Sequence, residues 1–298
     1  MAAKILVTGA TGSIGRALIR DLLNRGKEVR AGVHTPEKFE YIKTTGVELA
    51  HLEFGDNLTI DRALVDIDSL FLLTPFAREQ VEYERRVVDR ALLSGVKHVV
   101  KLSIVGAQDE PGTQFTRWHG QAENYLKYSG LPYTIIRSNI FMQNYIRFVQ
   151  PTANFIYLPL DNALVSYVDV RNVAEAISEI LIAGKEHFGK IYEITGPQSL
   201  SADDIAQILT SVTNHHISFI NIPEETALHV LESIGTPVWM ARGMLELYSL
   251  QRLGRNSFVS HFYEDLLAKK PLSFERFAYE FANVFKAIIQ HEHPIHLI

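Results

Sequence analysis

The chain opens on a short apolar run, Ile5, Leu6 and Val7, that stops at Gly9-Ala10-Thr11-Gly12. Apolar residues then return at a helical period, at Ile14, Leu18, Ile19 and Leu22. The pattern predicts a strand, a tight turn and a helix. Apolar runs recur at Glu28 to Val33, Val47 to Phe54, Ser69 to Leu73 and Val96 to Leu102, with helix-period segments between them. Ser69 to Leu73 is almost wholly apolar, as expected of a strand covered on both faces. The helix expected over Phe76 to Ser94 carries Glu79, Glu82, Glu84, Arg85, Arg86, Asp89 and Arg90, read as a solvated face without a function. Strand–helix alternation up to residue 103 predicts an α/β fold with a doubly wound parallel sheet.

A mobile, polar stretch from Gly106 to Gly112 leads into a helix over Phe115 to Tyr128 and a strand over Pro132 to Arg137. Beyond residue 150 the alternation loosens. Ala163 to Tyr167 reads as a strand, Val170 to Ala183 as a helix, Lys190 to Thr195 as a strand and His216 to Ile222 as another. Ser201 with Asp204 spells a capping box for a helix to Thr213. From Pro223 the pattern is helical, ending in one helix over Ser273 to Gln290 with a stripe of Phe274, Phe277, Ala278, Phe281 and Phe285.

Composition narrows the function. The 298 residues are 47% hydrophobic, with a mean hydropathy of +0.02 and a net charge of -5. No block of Lys and Arg offers a face to nucleic acid, so direct nucleic-acid binding is not expected. The absence of cysteine excludes disulfides, thiolate metal sites and a cysteine nucleophile. No apolar run reaches membrane-spanning length and residues 1 to 25 are interrupted by the glycine turn, so a cytoplasmic protein without a membrane anchor is expected. His215-His216 and the tail histidines lack matching partners, and no metal site is assigned.

The opening turn carries the chemistry. Gly9 permits the sharp exit from the strand, Gly12 lets backbone approach a pyrophosphate, and Gly15 lets helix lie close to strand. The N–H groups of Thr11, Gly12, Ser13 and Ile14 at the helix start then face the phosphates. No carboxylate follows the second strand to hold an NAD ribose. His34, Thr35, Lys38 and Arg30 supply donors and positive charge instead, which favours NADP(H) over NAD(H). Asp56 stands at the third strand's end, either for the adenine amino group or as a helix cap. Thr74-Pro75 and Ser103 stand at the ends of the fourth and fifth strands, the edge where such sheets bind ligands. The segment Asn139 to Asn144 leaves the next strand at the same edge, placing Phe141, Met142 and Asn144 for an apolar, ring-accepting substrate pocket.

Several motifs, TGATGSIGRALI, HTPEK, LSIVGA, WHGQAENYLKYSGLPYTIIRSNIFMQN, VSYVDVRNVAEAI and SFERFAYEFANVF, cover nearly the whole chain. Together they resemble the NmrA-like group of atypical short-chain dehydrogenase/reductases, and within it the NAD(P)H-dependent quinone, azo and triphenylmethane reductases and their non-catalytic, redox-sensing relatives. The resemblance implies a Rossmann-type doubly wound parallel sheet with a smaller α/β C-terminal substrate lobe. It places Gly9, Gly12, Gly15, His34 and Lys38 at the nucleotide, although His34 stands where arginine is common. The expected division is a dinucleotide-binding domain over 1–150, with segments around 163–195 packing back onto it, and a smaller, mostly helical lobe over 151–298.

The chain departs from typical short-chain dehydrogenases in having no Tyr-x-x-x-Lys. Ser103 matches their serine, and His119 and Glu123 stand where tyrosine and lysine are expected. The expectation is a reductase passing hydride to a flat, electron-poor molecule such as a quinone or dye, with His119 as proton donor or substrate orienter and Ser103 beside it. The alternative is a nucleotide-binding regulator acting through protein partners. Arg147 and residues 223 to 252 are then a surface for such a partner or a homodimer.

Overall fold

A computed structural model describes residues 4–35, 46–108, 110–150 and 154–290. Its strands are β1 (Lys4–Val7), β2 (Glu28–Val33), β3 (Glu48–His51), β4 (Ser69–Leu72), β5 (His98–Ile104), β6 (Tyr133–Ser138), β7 (Phe155–Leu158), β8 (Lys190–Ile194) and β9 (Ser218–Asn221). Its helices are α1 (Ser13–Asn24), α2 (Asn57–Leu64), α3 (Gln80–Leu93), α4 (Gln114–Tyr128), α5 (Tyr145–Phe148), α6 (Val170–Ala183), α7 (Ala202–Thr213), α8 (Glu224–Ser233), α9 (Val238–Arg252), α10 (Phe262–Leu267), α11 (Phe274–Glu280) and α12 (Ala282–Ile289). Two compact units divide the chain. The first is Met1–Gly112, Thr116–Ser138 and Val170–Glu193; the second is Thr113–Phe115, Asn139–Asp169 and Ile194–Ile298.

The main sheet has seven strands in the order β3-β2-β1-β4-β5-β6-β8, and β3 through β6 pair in parallel. β1 pairs with β2 through Ile5 opposite Val29 and with β4 through Ile5 opposite Ser69. The chain therefore winds outward from β1 to one side, then resumes at β4 on the other. That reversal leaves a crevice beyond the carboxyl ends of β1 and β4, the ligand position in doubly wound sheets. Leu70, Phe71 and Leu72 are fully buried; each such side chain contributes about 1.5–3 kcal/mol on leaving water. α1 packs on α6, and Arg25 at the end of α1 reaches Glu179 at 2.6 Å.

The second unit has its own core, with Ile156, Val165, Leu209, Phe274, Phe277 and Phe285 among its buried side chains. β7 and β9 form a two-stranded parallel sheet there. The capping box at α7 is present: Ser201 Oγ accepts from the Asp204 N–H at 3.1 Å, and Asp204 Oδ2 from the Ser201 N–H at 2.8 Å.

Three expectations are corrected. Ala163 to Tyr167 is not a strand; Val165 makes only an isolated bridge to Leu200. The strand in that region is β7, where Ile156 and Leu158 point into the core. The terminal helix is two helices, broken at Phe281, whose ring packs on Phe277 at 4.7 Å. The charged face of α3 is not wholly solvated, because Gln80 and Glu84, one turn apart, are both 2% exposed.

Candidate functional site

β1 runs into Thr8, a buried residue whose hydroxyl donates to the carbonyls of Phe71 and Leu73 and accepts the Leu73 N–H at 2.8 Å. This side chain ties the ends of β1 and β4 together where the strand order reverses. Sequence reasoning passed over it; the signal was a polar residue between an apolar strand and its glycine turn. Gly9 follows with φ +61°, a left-handed conformation that favours glycine. A Cβ on Gly15 would lie 2.3 Å from the Gly9 carbonyl oxygen, so no side chain fits between turn and helix.

α1 begins after Gly12 with no side-chain cap and no acidic residue in its first turn. The backbone N–H groups and positive end of the helix are therefore left to an external anion. Thr11 is half-buried, Gly12 and Ser13 are exposed, and Ile14 turns into the core. An extended pyrophosphate fits this glycine-walled turn, and a reduced or oxidised dinucleotide is the group whose chemistry the turn suits.

Along the same sheet edge, His34 is exposed after β2 and its ring faces His51 at the end of β3, centroids 6.4 Å apart. Lys38 lies outside the described residues. Arg30 does not reach this edge. It turns inward, donating to Glu48 at 2.7 Å and to the carbonyls of Ala63 and Val65. Asp56 caps α2, one carboxylate oxygen accepting from the Leu58 N–H at 2.8 Å. Thr74 is buried and donates to Glu84 Oε1 at 3.0 Å, whereas Pro75 beside it is exposed.

Ser103 lies inside β5 rather than beyond it. Its hydroxyl donates to Glu123 Oε1 at 2.7 Å, and Arg137 grips the same carboxylate through Nε at 2.9 Å and Nη2 at 2.6 Å. Lys127 adds a contact at 3.3 Å. Burial works against ionising Glu123, but the hydrogen bonds from Arg137 and Ser103 outweigh it and hold the carboxyl below its usual range. Ser103 thus spends its proton on a fixed internal acceptor and has only lone pairs to offer a ligand.

One turn away on α4, His119 is buried beside Gln80 and Lys101. Gln80 Nε2 faces both Glu84 Oε1 and His119 Nε2, each at 3.3 Å. The Glu84 carboxylate selects the amide orientation, so Nε2 of His119 accepts and its proton sits on Nδ1. Burial, with the Lys101 charge adding to it, pushes the imidazole well below its ordinary pKa. Burial and the neighbouring Lys101 charge thus both favour the neutral form of this enclosed ring. Lys101, itself 1% exposed, forms an ion pair with Glu84 and completes the network.

In the second unit Met142 is core, its N–H bonded to the Val168 carbonyl at 3.0 Å, and Phe141 is half-buried in a bridge to Val168. Neither lines the cavity found there; of the three expected substrate residues only Asn144 does. No helix among the described residues is long and apolar enough to cross a membrane, and no cluster of metal-ligating side chains occurs among them.

The fold and turn define a dinucleotide-binding α/β protein of the Rossmann-like kind. The profile of the NmrA-like family matches residues 1–257, and the chain belongs to that family. It is 30% identical over 248 residues to the NAD(P)H azoreductase of Xenophilus azovorans, covering 83% of this chain and 86% of that one. It is 26% identical over 243 residues to quinone oxidoreductase 2 of Escherichia coli, covering 80% and 84%. Its backbone is also similar to that of NmrA, a negative transcriptional regulator solved in complex with NADP, with a TM-score of 0.81, 17% identity and coverage of 96% and 97%. The family thus holds NAD(P)H-dependent oxidoreductases and at least one regulator.

Proposed function

We propose that this chain is an NAD(P)H-dependent reductase that passes hydride to a flat, electron-poor small molecule. The observation that carries this reading is the uncapped start of α1 behind a turn with no room for a side chain at Gly15. The kinship with an azoreductase and a quinone oxidoreductase supports it. The N–H groups of Thr11, Ser13 and Ile14 hold the pyrophosphate while that of Gly12 closes the turn on the Gly9 carbonyl at 3.0 Å; Thr74 and Pro75 flank the dinucleotide further along the edge, and Asp56 faces its adenine end. His34 and Lys38 meet a 2′-phosphate, with no carboxylate at the end of β2 to repel it, so NADPH is preferred to NADH.

The bound reduced dinucleotide supplies a hydride. For a quinone, hydride plus one proton yields the hydroquinone and the oxidised dinucleotide. The protein does not have to provide that proton from a strong acid, because an electrophilic ring accepts hydride before it needs protonation. Solvent supplies it. Ser103, through its lone pairs, and the neutral His119 keep the interior beside the sheet edge fixed and are not consumed in the step.

A second reading, a regulator that senses dinucleotide occupancy, is favoured by the same closed network, which offers no exposed acid. Stopped-flow absorbance of reduced nicotinamide separates the two. Protein loaded with NADPH and mixed with neutral quinones and charged dyes oxidises the cofactor if it is a reductase. Tight binding with no oxidation across the panel favours the regulator.

A further inference from the structure

Half-buried arginines in the first unit and in the second hold carboxylates. Arg25 reaches Glu179 at 2.6 Å, Arg137 reaches Glu123 at 2.6 Å, and Arg90 and Arg252 pair with Asp61 and Glu224. Arg16 is half-buried too, yet its side chain makes no hydrogen bond, ion pair or ring contact among the described residues. A guanidinium presents five N–H donors and no acceptor, so Arg16 holds that whole capacity open.

Its position sharpens the question of what it is for. Arg16 is the fourth residue of α1, and its N–H donates to the Gly12 carbonyl at 2.9 Å. The start of a helix carries positive potential, where a carboxylate is favoured and a cation opposes the aligned backbone dipoles. α1 has no acidic residue in its first turn to offset that charge. In the protein without ligand, Arg16 therefore destabilises the helix start and gains no partner.

Helical spacing puts Gly12, Arg16 and Arg20 on one face, at i, i+4 and i+8. This face is the accessible one, since Gly12 and Arg20 are exposed whereas Ile14, Ala17 and Leu18 are buried. Helical side chains lean back towards the N-terminus, over the preceding turn. From Arg16 back to Gly12 the axis runs about 6 Å, a distance an extended arginine spans. The guanidinium is thus within reach of the turn whose Thr11, Ser13 and Ile14 N–H groups are open to an anion.

We propose that Arg16 is a phosphate ligand of the dinucleotide, closing on the pyrophosphate from the solvent side while the backbone N–H groups hold it from the helix start. The inference rests on the dinucleotide-binding part of the reductase reading, and it adds a side chain to a turn described so far through its backbone. The guanidinium fork pairs with two phosphate oxygens, whose charge removes the repulsion at the helix start. NADH and NADPH share the pyrophosphate, so Arg16 tightens both and leaves the choice between them to the 2′-phosphate end.

The test pairs binding with stability. Dissociation constants for NADPH and NADH are measured by the fluorescence of the reduced nicotinamide, and thermal midpoints are taken without ligand. Arg16→Gln, which keeps helix propensity, is expected to weaken both dinucleotides about tenfold with their ratio unchanged. The same variant without ligand melts about 1–2 °C higher, because a cation has left the positive end of α1. Arg16→Lys keeps the charge without the fork, and its affinities fall between the two. Unchanged affinities in Arg16→Gln, or a lower midpoint without ligand, overturns the proposal. A loss confined to NADPH overturns it as well, since the contact is then with the 2′-phosphate. A parent protein that binds neither dinucleotide sinks the dinucleotide reading and the proposal together. If the parent binds both and oxidises neither, the reductase reading fails, and a tenfold loss in Arg16→Gln still supports the phosphate role.

Discussion

Two polar regions of this molecule stand in opposite conditions. In the first unit, Thr74, Gln80, Glu84, Lys101, Ser103, His119, Glu123 and Arg137 form chains of donors and acceptors that largely satisfy each other. In the second, Asn144, Tyr167, Tyr248 and Gln251 surround a cavity and keep hydrogen-bonding capacity in reserve. The first is rich in charge and closed; the second is neutral and open. A charge-rich cluster at a sheet edge invites a catalytic reading, yet its hydrogen bonds run mostly among its own members, with Gln80 Oε1 and His119 Nδ1 left buried without a partner. The reserve lies among phenols and amides, where composition alone draws no attention.

The comparison breaks most visibly if the closed network is opened. Glu84→Ala leaves the Lys101 ammonium buried without its counter-charge and Thr74 without its acceptor. The expected loss is about 3–5 kcal/mol in urea unfolding. The double replacement Glu84→Leu with Lys101→Met recovers most of it, because both charges leave together. If Glu84→Ala unfolds like the parent, the network is not the tightly coupled unit described.

A second, somewhat smaller effect comes from the opposite face of β5. His98 Nε2 donates to Thr134 Oγ1 at 2.9 Å, since the threonine proton goes to the His187 carbonyl at 2.8 Å. Nδ1 is buried without a partner. Burial, with His187 adding to it, lowers the pKa from 6.5 to about 4. The unfolded imidazole takes a proton below its ordinary pKa and the folded one resists until the lowered value. Stability is therefore complete above pH 6.5 and falls as pH drops towards about 4, by about 3 kcal/mol in total. Urea midpoints measured across this range should show the slope, and His98→Asn should flatten it. A slope equal in both proteins would mean that other groups carry the acid sensitivity.

Much of the first unit was legible in sequence. Continuous apolar runs and helical periods located β1, β2, β4, β5 and β6, and the glycine spacing located the turn. What sequence could not supply was partnership. Glu84 sits on a helix face crowded with charge, and only the fold brings Lys101 beneath it. Arg30 looked like a phosphate ligand because its strand ends at the right edge, yet Glu48 and two carbonyls draw it inward. His119 was placed by its ordinary pKa, which burial overrides. β7 has four residues, too few for a period to stand out, and the cavity's polar groups come from three separated segments with no shared motif.

On the reductase reading, hydride transfer needs no titrating acid from the protein: His119 is enclosed, with burial favouring its neutral form, and Ser103 donates to Glu123. The most direct measurement is the single-turnover rate of NADPH oxidation by a neutral quinone between about pH 6 and 8, the range in which an accessible imidazole would titrate. The account predicts a flat profile, unchanged in shape by His119→Gln. A limb centred near the ordinary imidazole pKa that disappears in His119→Gln would contradict it and make His119 the proton donor.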